Sequence, residues 1–319
     1  MHPITRIIII FLFSIALCEV AYFPINRGML KYHWNTYKRL NEIMNGNTAY
    51  DILFIGSSRT YHNVYPRMID SICQANSYNA GARAARMTEM KMYFGGYCVH
   101  HPLPKILVIN LDLYSFANTD DLYCTPQYFP FLYNPVVYST LSEYGNRVSI
   151  IKRLPFLGIA NFDDASKVNA VKSLLGMKRT ELLGGEIEYK GFLSTPSENL
   201  FHGIPKNEKS RKIEITAAAV KDLQNIIDTC KTHHVKLIFT YAPEYGFYEH
   251  KKIINSKEII NFINQFAKKN NINFIQYDSL PMCNDVLSFY DGTHLSKEGA
   301  IAYSRIQAQD LKAIMARGK

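Results

Sequence analysis

Four short apolar runs, each closing on a turn, constrain this chain more than any other feature: DILFIGSSRT (51–60), KILVINLD (105–112), VKLIFTYAP (235–243) and INFIQYD (272–278). Runs this short with little polar alternation are strands buried on both faces, as in parallel sheets. Helical patterns lie between and after them. Val64–Gln74, Ala84–Phe94, Ile213–His233, Lys257–Lys269 and Lys297–Ala316 repeat apolar residues at three- and four-residue spacing. Strands alternating with helices require right-handed crossovers, so the expected class is α/β, three layers (α/β/α) around a parallel sheet. The 319 residues allow one large or two ordinary domains. The expectation is one α/β domain over 31–319, preceded by an anchor or signal segment at 1–30.

The alternation lapses between Ser115 and Lys212. That stretch carries YCTPQYFPFLYNPVVY, a helical pattern near Leu141–Arg153, and LLGGEIEYKGFLSTP. It is too long for a structureless loop, so a helical, aromatic-rich insertion at about 115–212 is expected over one edge of the sheet. Its tyrosines and phenylalanines between Tyr123 and Tyr138 fit a hydrophobic core better than a stacking surface for sugar rings. Ahead of the first strand, Lys31–Asn47 reads as a short helix or stalk ending at Gly46.

The N-terminus carries a membrane signal. Ile7–Cys18 is an uninterrupted apolar run behind His2 and Arg6, and Val20–Phe23 extends it past Glu19. The shorter stretch has the length of a cleavable signal core, whereas the extended one spans roughly 25 Å as a helix. An uncleaved single-pass anchor is the favoured reading. Leu17 is bulky where a small residue precedes a lipidated cysteine, which disfavours lipidation at Cys18. In either main case the chain from about residue 30 onward lies outside the cytoplasm, either anchored or secreted and periplasmic.

Composition narrows the partners. Thirty-six Lys and Arg against 27 Asp and Glu give a net charge of +9. The charge is spread without a basic block, so it favours an anionic surface but not a nucleic-acid partner. The six cysteines, at 18, 73, 98, 124, 230 and 283, form no C-x-x-C pair, and His100–His101 and His233–His234 lack acidic or thiol companions. No metal site and no cofactor is expected.

In an open parallel sheet the chemistry sits at the carboxyl ends of the strands. The residues there are Gly56-Ser57-Ser58-Arg59, Asn79-Ala80-Gly81 after a short segment near Tyr78, Asn110-Leu111-Asp112, and Asp291-Gly292-Thr293-His294 ahead of the last helix. A serine, a histidine and an aspartate in such places are the parts of a nucleophile and base system. The bland alternatives are a serine cap on a helix, a turn at Asp291–His294, a tight turn at Gly81, and ion pairs at Arg59, Arg83 and Arg86.

On these residues the chain resembles the SGNH (GDSL-type) hydrolase superfamily. IGSSRT is similar to the first block, with Ser58 in the nucleophile's place and Ser57 in that of the usual aspartate. DGTHLS is similar to the last block, which implies Asp291 as the orienting acid and His294 as the base. Gly81 matches the second block's glycine. The resemblance therefore implies an oxyanion hole from Ser58 and Gly81, with Asp112 near the third position, where the family has an asparagine; an ionised carboxylate does not donate. The anchor, GSSR, LDLYSF and FYDGTHLSKEGA resemble the extracytoplasmic branch that includes teichoic-acid D-alanylation and alginate O-acetylation proteins. That resemblance implies a serine esterase or acyl-transferring enzyme on O-acyl groups of a cell-envelope polysaccharide, at the outer face of a bacterial cytoplasmic membrane. Its partners would be an acylated glycan and a membrane-bound O-acyltransferase. The alternative is an inactive module of the same fold that binds glycan or that acyltransferase, and the acid at position 112 is the feature favouring it.

Overall fold

The computed structural model describes residues 2–31, 35–118, 122–145, 147–159, 161, 164–177, 188–195 and 209–316. Two helices come first, α1 (Pro3–Lys31) and α2 (Asn35–Asn45). Strand β1 (Ile52–Ile55), the short helices α3 (Ser58–Asn63) and α4 (Pro66–Cys73), β2 (Ser77–Asn79), α5 (Met87–Cys98) and β3 (Ile106–Asn110) follow. Next are α6 (Pro135–Ser142), α7 (Arg147–Arg153), α8 (Phe156–Ile159), α9 (Asp164–Leu174) and the hairpin β4 (Glu188–Tyr189) with β5 (Phe192–Leu193). Helix α10 (Ala217–Thr232), β6 (Lys236–Tyr241), α11 (Tyr248–Lys252), α12 (Ser256–Lys269), β7 (Asn273–Gln276) and α13 (Lys297–Ala316) complete the series.

The packing divides the chain into two compact units, 1–46 with 124–181, and 47–123 with 182–319. The second unit holds a five-stranded parallel sheet in the order β2-β1-β3-β6-β7. Alternation along the strands divides the core between two faces. Ile52, Phe54, Ile106, Val108 and Ile238 pack with Ile69 of α4 and with Ala300, Tyr303, Ala308 and Leu311 of α13. Leu53, Ile55, Leu107, Ile109 and Phe239 are equally buried with the opposite parity, on the side where α5 contacts β1 and α10 contacts β6. Each such side chain contributes about 1.5–3 kcal/mol by leaving water. The result is an α/β/α unit whose strands all aim their carboxyl ends at one edge.

The first unit is helical. Met29 of α1 and Ala170 of α9 form a small buried core with Ile25, Tyr37, Phe129 and Ile159 around it. The two helices meet backbone to backbone at Gly28, where a Cβ would lie 2.2 Å from the Ala170 carbonyl oxygen. Helix α1 is long and apolar enough to cross a membrane, with a mean hydropathy of 2.3 over its most apolar window.

The helical pattern near 141–153 is interrupted. It resolves into α6 and α7, because Ser142 donates its hydroxyl to the Tyr138 carbonyl at 2.7 Å and the chain passes through Gly145. Of the other expected helices, α13 has the expected bounds and α12 begins one residue earlier; α4 and α10 are shorter at both ends, α4 starting at Pro66, while α5 starts three residues later and runs four residues further, to Cys98. The hairpin of β4 and β5 and the single-turn α3 are too short to give a periodic signal.

Helix α13 rests on the backbone of the loop before it. A Cβ at Gly299 would fall 2.0 Å from the Ser288 carbonyl oxygen. Helix propensity alone favours alanine there by about 1 kcal/mol, but the clash is with backbone, and overpacking of this kind costs about 1–3 kcal/mol. Gly299→Ala is therefore expected to lower the melting temperature; a rise would show that propensity, not close approach, governs the position.

Candidate active site

Ser58 owes its position to the turn that leaves β1. Gly56 adopts φ +156°, and a Cβ there would meet Thr60 Oγ1 at 2.1 Å and Asn110 Cβ at 3.0 Å, so only glycine lets the chain turn this close to the end of β3. Ser57 then caps α3, its Oγ accepting the Arg59 N–H at 3.1 Å and donating to Asp112 Oδ2. Arg59 points the other way, into the protein. Its guanidinium donates to Asp112 Oδ1 at 2.9 Å and to the carbonyls of Ala242 and Pro243, and it lies 4.5 Å from the centre of the Tyr241 ring. Arg59 and Asp112 are 4% and 5% exposed, so their charges compensate each other away from water. Asn110 Nδ2 adds a further hydrogen bond to Asp112 Oδ1 at 2.8 Å.

His294 approaches Ser58 from the loop ahead of α13. Ser58 Oγ is 2.8 Å from His294 Nε2, and His294 Nδ1 is 2.7 Å from Asp291 Oδ2. A carboxylate only accepts, so Nδ1 carries the proton and the Nε2 lone pair faces the serine hydroxyl. The other oxygen of Asp291 accepts the N–H groups of Thr293 and His294, both at 2.8 Å. Burial opposes ionisation of Asp291, but the bond to His294, its charge and the two backbone donors outweigh that and hold the carboxyl well below the usual carboxylate range. Asn63, fully buried at the end of α3, ties the histidine loop to the serine helix: its Nδ2 donates to Thr293 O at 3.2 Å, and its Oδ1 accepts Leu295 N–H at 2.9 Å.

Ser58, His294 and Asp291 thus stand together. Two residues that the resemblance implies as oxyanion donors do not join them. Gly81 gives its N–H to Asn79 Oδ1 at 2.9 Å and lines neither cavity that opens on Ser58. Its missing side chain serves close approach instead, since a Cβ would sit 2.5 Å from Tyr61 N. Asp112 is an acceptor from Ser57, Arg59 and Asn110, so it anchors the turn and does not donate. The Gly81 N–H therefore has another partner than the one the resemblance implies, and the Asp112 carboxylate, already expected not to donate, is occupied as an acceptor. The N–H of Ser58, at the first residue of α3, belongs to the donors that a helix start leaves without intrahelical partners. Close by, Ala84 is held at φ +52° and borders both cavities, an unusual conformation for a residue with a side chain.

Ser58 lies between these two cavities. One, of 460 Å³, is bordered by His62, Arg83, Tyr123, Ser194, Tyr290 and His294. The other, of 280 Å³, is bordered by Arg86, Asp112, Tyr114, Arg211, Glu249 and Thr293. The remaining histidines singled out by the sequence lie elsewhere: His101 stacks on Tyr97 at 4.1 Å and binds the Thr48 carbonyl. All six cysteines are free thiols, and no group of three metal-ligating side chains occurs among the described residues.

No family model and no curated protein matches this chain. Among solved structures it is similar to a protein assigned to the lipolytic G-D-S-L family from Desulfitobacterium hafniense DCB-2, at 12% identity and TM-score 0.41, covering 82% of this chain and 99% of that one. It is also similar to a protein assigned as an acylhydrolase from Bacteroides fragilis NCTC 9343, at 12% identity and TM-score 0.40, covering 86% and 95%. Likeness at this level does not transfer function, and the chemistry rests on the distances above.

The pH dependence of Asp291 follows in sign. Its folded value lies below the ordinary 3.8, so its contribution to stability is present above that pH and is lost as pH falls toward the lower folded value. The melting temperature of the wild type should exceed that of Asp291→Asn at neutral pH, and the gap should close on acidification below about 3.8. A gap independent of pH would contradict this ionisation.

Proposed function

We propose that the chain is a serine ester hydrolase or acyl-transferring enzyme of the SGNH type, acting on O-acyl groups of a cell-envelope polysaccharide. The observation that carries the chemistry is the unbroken chain from Ser58 Oγ to His294 to Asp291, at 2.8 and 2.7 Å. In the first step Ser58 Oγ attacks the ester carbonyl carbon while its proton passes to His294 Nε2. Asp291 holds the imidazole by Nδ1 and balances the positive charge that forms. The carbonyl oxygen, now an oxyanion, meets the Ser58 N–H and the backbone turn at Arg83–Ala84, a donor set that replaces Gly81 and Asp112 in this role. Such donors contribute about 2.7–4 kcal/mol each to a comparable transition state. As the tetrahedral species collapses, the ester C–O bond breaks and His294 returns its proton to the leaving alkoxide. The acyl group then sits on Ser58, from which water or a sugar hydroxyl removes it by the same steps in reverse order, giving hydrolysis or transfer.

The glycan substrate and the membrane setting are supported less directly, by the resemblance of the sequence blocks and by α1. Gly28 and Met29 of α1 are packed against α9, beyond the apolar core of a cleavable signal, which supports an uncleaved anchor; the extracytoplasmic side is supported by the resemblance of the sequence blocks alone. A membrane-bound O-acyltransferase is the partner that reading implies. The second reading, an inactive module that holds glycan or that acyltransferase, is favoured by the acid at position 112, which supplies no oxyanion donor.

An alkyl fluorophosphonate probe separates the two. The full-length protein should be labelled on Ser58, with labelling abolished in Ser58→Ala and His294→Ala. Ester hydrolysis by Ser58→Ala should fall on the order of 10⁶-fold with the melting temperature retained. A folded protein that takes no label would favour the binding module.

A further inference from the structure

The smaller of the two cavities at Ser58 has an unusual charge balance. Its charged lining comprises Arg59, Arg86 and Arg211 against Asp112 and Glu249. Arg59 and Asp112 cancel one another through their buried 2.9 Å pair. Neither Arg86 nor Arg211 has a carboxylate within ion-pair distance among the described residues. The placement of Arg211 is built into the fold although its side chain is exposed. Its N–H donates to the Lys252 carbonyl and its carbonyl accepts the Ile254 N–H, both at 2.9 Å. Its Nε donates to the Tyr114 hydroxyl at 2.9 Å, and its guanidinium carbon lies 4.7 Å from the centre of that ring. Nη1 and Nη2 of this fork are left to meet a ligand. Arg86 borders the same space at the start of α5.

We infer that this 280 Å³ cavity is a subsite for an anionic substituent of the substrate, a carboxylate or a phosphate, gripped between the guanidinium groups of Arg86 and Arg211. The inference rests on Ser58 being the reacting residue, because it places the anion within the cavity that the serine borders. Guanidinium groups suit such anions through two parallel N–H donors, and charge-assisted bonds of this type discriminate against neutral analogues.

Glu249 makes the grip depend on pH. Burial first, then the carboxylates of Glu244 and Asp112, push its carboxyl up to about 7, against the pull of Arg59 and Arg211. Tyr114 and Tyr248 are the other ionisable groups that sense it. When protonated, Glu249 adds no negative charge to the cavity and has an O–H to donate; when ionised, it repels the anion. Affinity therefore falls as pH rises through about 7.

The test is calorimetric binding to full-length Ser58→Ala in detergent, which holds ligand without turnover. The probes are methyl glucuronide, glycerol phosphate and the neutral methyl glucoside. At pH 6 at least one anionic probe should bind roughly tenfold more tightly than the glucoside, and Arg211→Gln and Arg86→Gln should each remove most of that preference. The stronger of the two anions identifies the source of the charge. For methyl glucuronide, whose charge is constant over the range, affinity should fall between pH 6 and 8 and should be flat in Glu249→Gln. Equal affinity for all three probes, no binding of either anion, or a preference that survives both arginine substitutions with folding intact would overturn the subsite. Fluorophosphonate labelling of the unsubstituted protein is read separately: anion binding without Ser58 labelling would sink the esterase reading, and labelling without anion preference would sink the subsite alone.

Discussion

The buried pair of Arg59 and Asp112 is the interaction on which the site depends. Taking two charges out of water is costly, and a pair of this kind adds little net stability on its own. What it provides is position. Asp112 leaves the end of β3, Arg59 leaves α3, and the guanidinium reaches on to the carbonyls of Ala242 and Pro243 beyond β6. One ion pair thereby ties together the carboxyl ends of three neighbouring strands. Ser57 is held by the same carboxylate, which leaves Ser58 as the residue of the turn whose hydroxyl faces outward to His294.

A second tie aligns His294 with Ser58. Asn63 lies at the far end of the one-turn helix that Ser58 begins, and it grips the backbone on either side of His294, at Thr293 and Leu295. The serine and histidine come from segments more than two hundred residues apart, yet a single short helix sets the separation between them. Gly81 contributes to this by letting the strand-end segment after β2 press against the backbone of α3. The site is therefore tied by hydrogen bonds at Ser58 and His294, and two cavities meet at the Ser58 hydroxyl.

Much of this was legible in the sequence. The apolar runs around Ile52, Ile106 and Lys236 are short and nearly free of polar alternation, as strands covered on both faces require. The run at Asn273, expected to be buried on both faces as well, forms the edge strand β7, where polar residues bracket apolar ones and none is fully buried. Asp291 and His294 were legible because a turn ahead of a long amphipathic helix, at a strand-end position, is where such groups gather. The surroundings of Gly81 and Ala84 were not. Ala84 carries no mark of a positive φ, since alanine is not a residue that turns of this kind select, and nothing in the sequence shows that the Gly81 N–H is taken up by Asn79. Arg59 and Asp112 were visible as charges near the site, but nothing in a linear string shows that the two are buried and face one another across the sheet. Arg211 and Glu249 escaped for a related reason: both lie outside the strand-end blocks, and only the tertiary fold brings them beside Tyr114. The break between α6 and α7 follows from one serine hydroxyl and one glycine, features too local for helical periodicity to register.

The most direct measurement is a double-mutant cycle on Arg59→Met, Asp112→Leu and the double variant, read by unfolding free energy and by the rate of Ser58 labelling. Each single change leaves an uncompensated buried charge and should cost about 3–5 kcal/mol. The double variant should lose much less than the sum, while Ser58 labelling is slowed in all three because the turn has lost its anchor. Additive losses, or full labelling of the folded double variant, would contradict the claim that this pair positions Ser58.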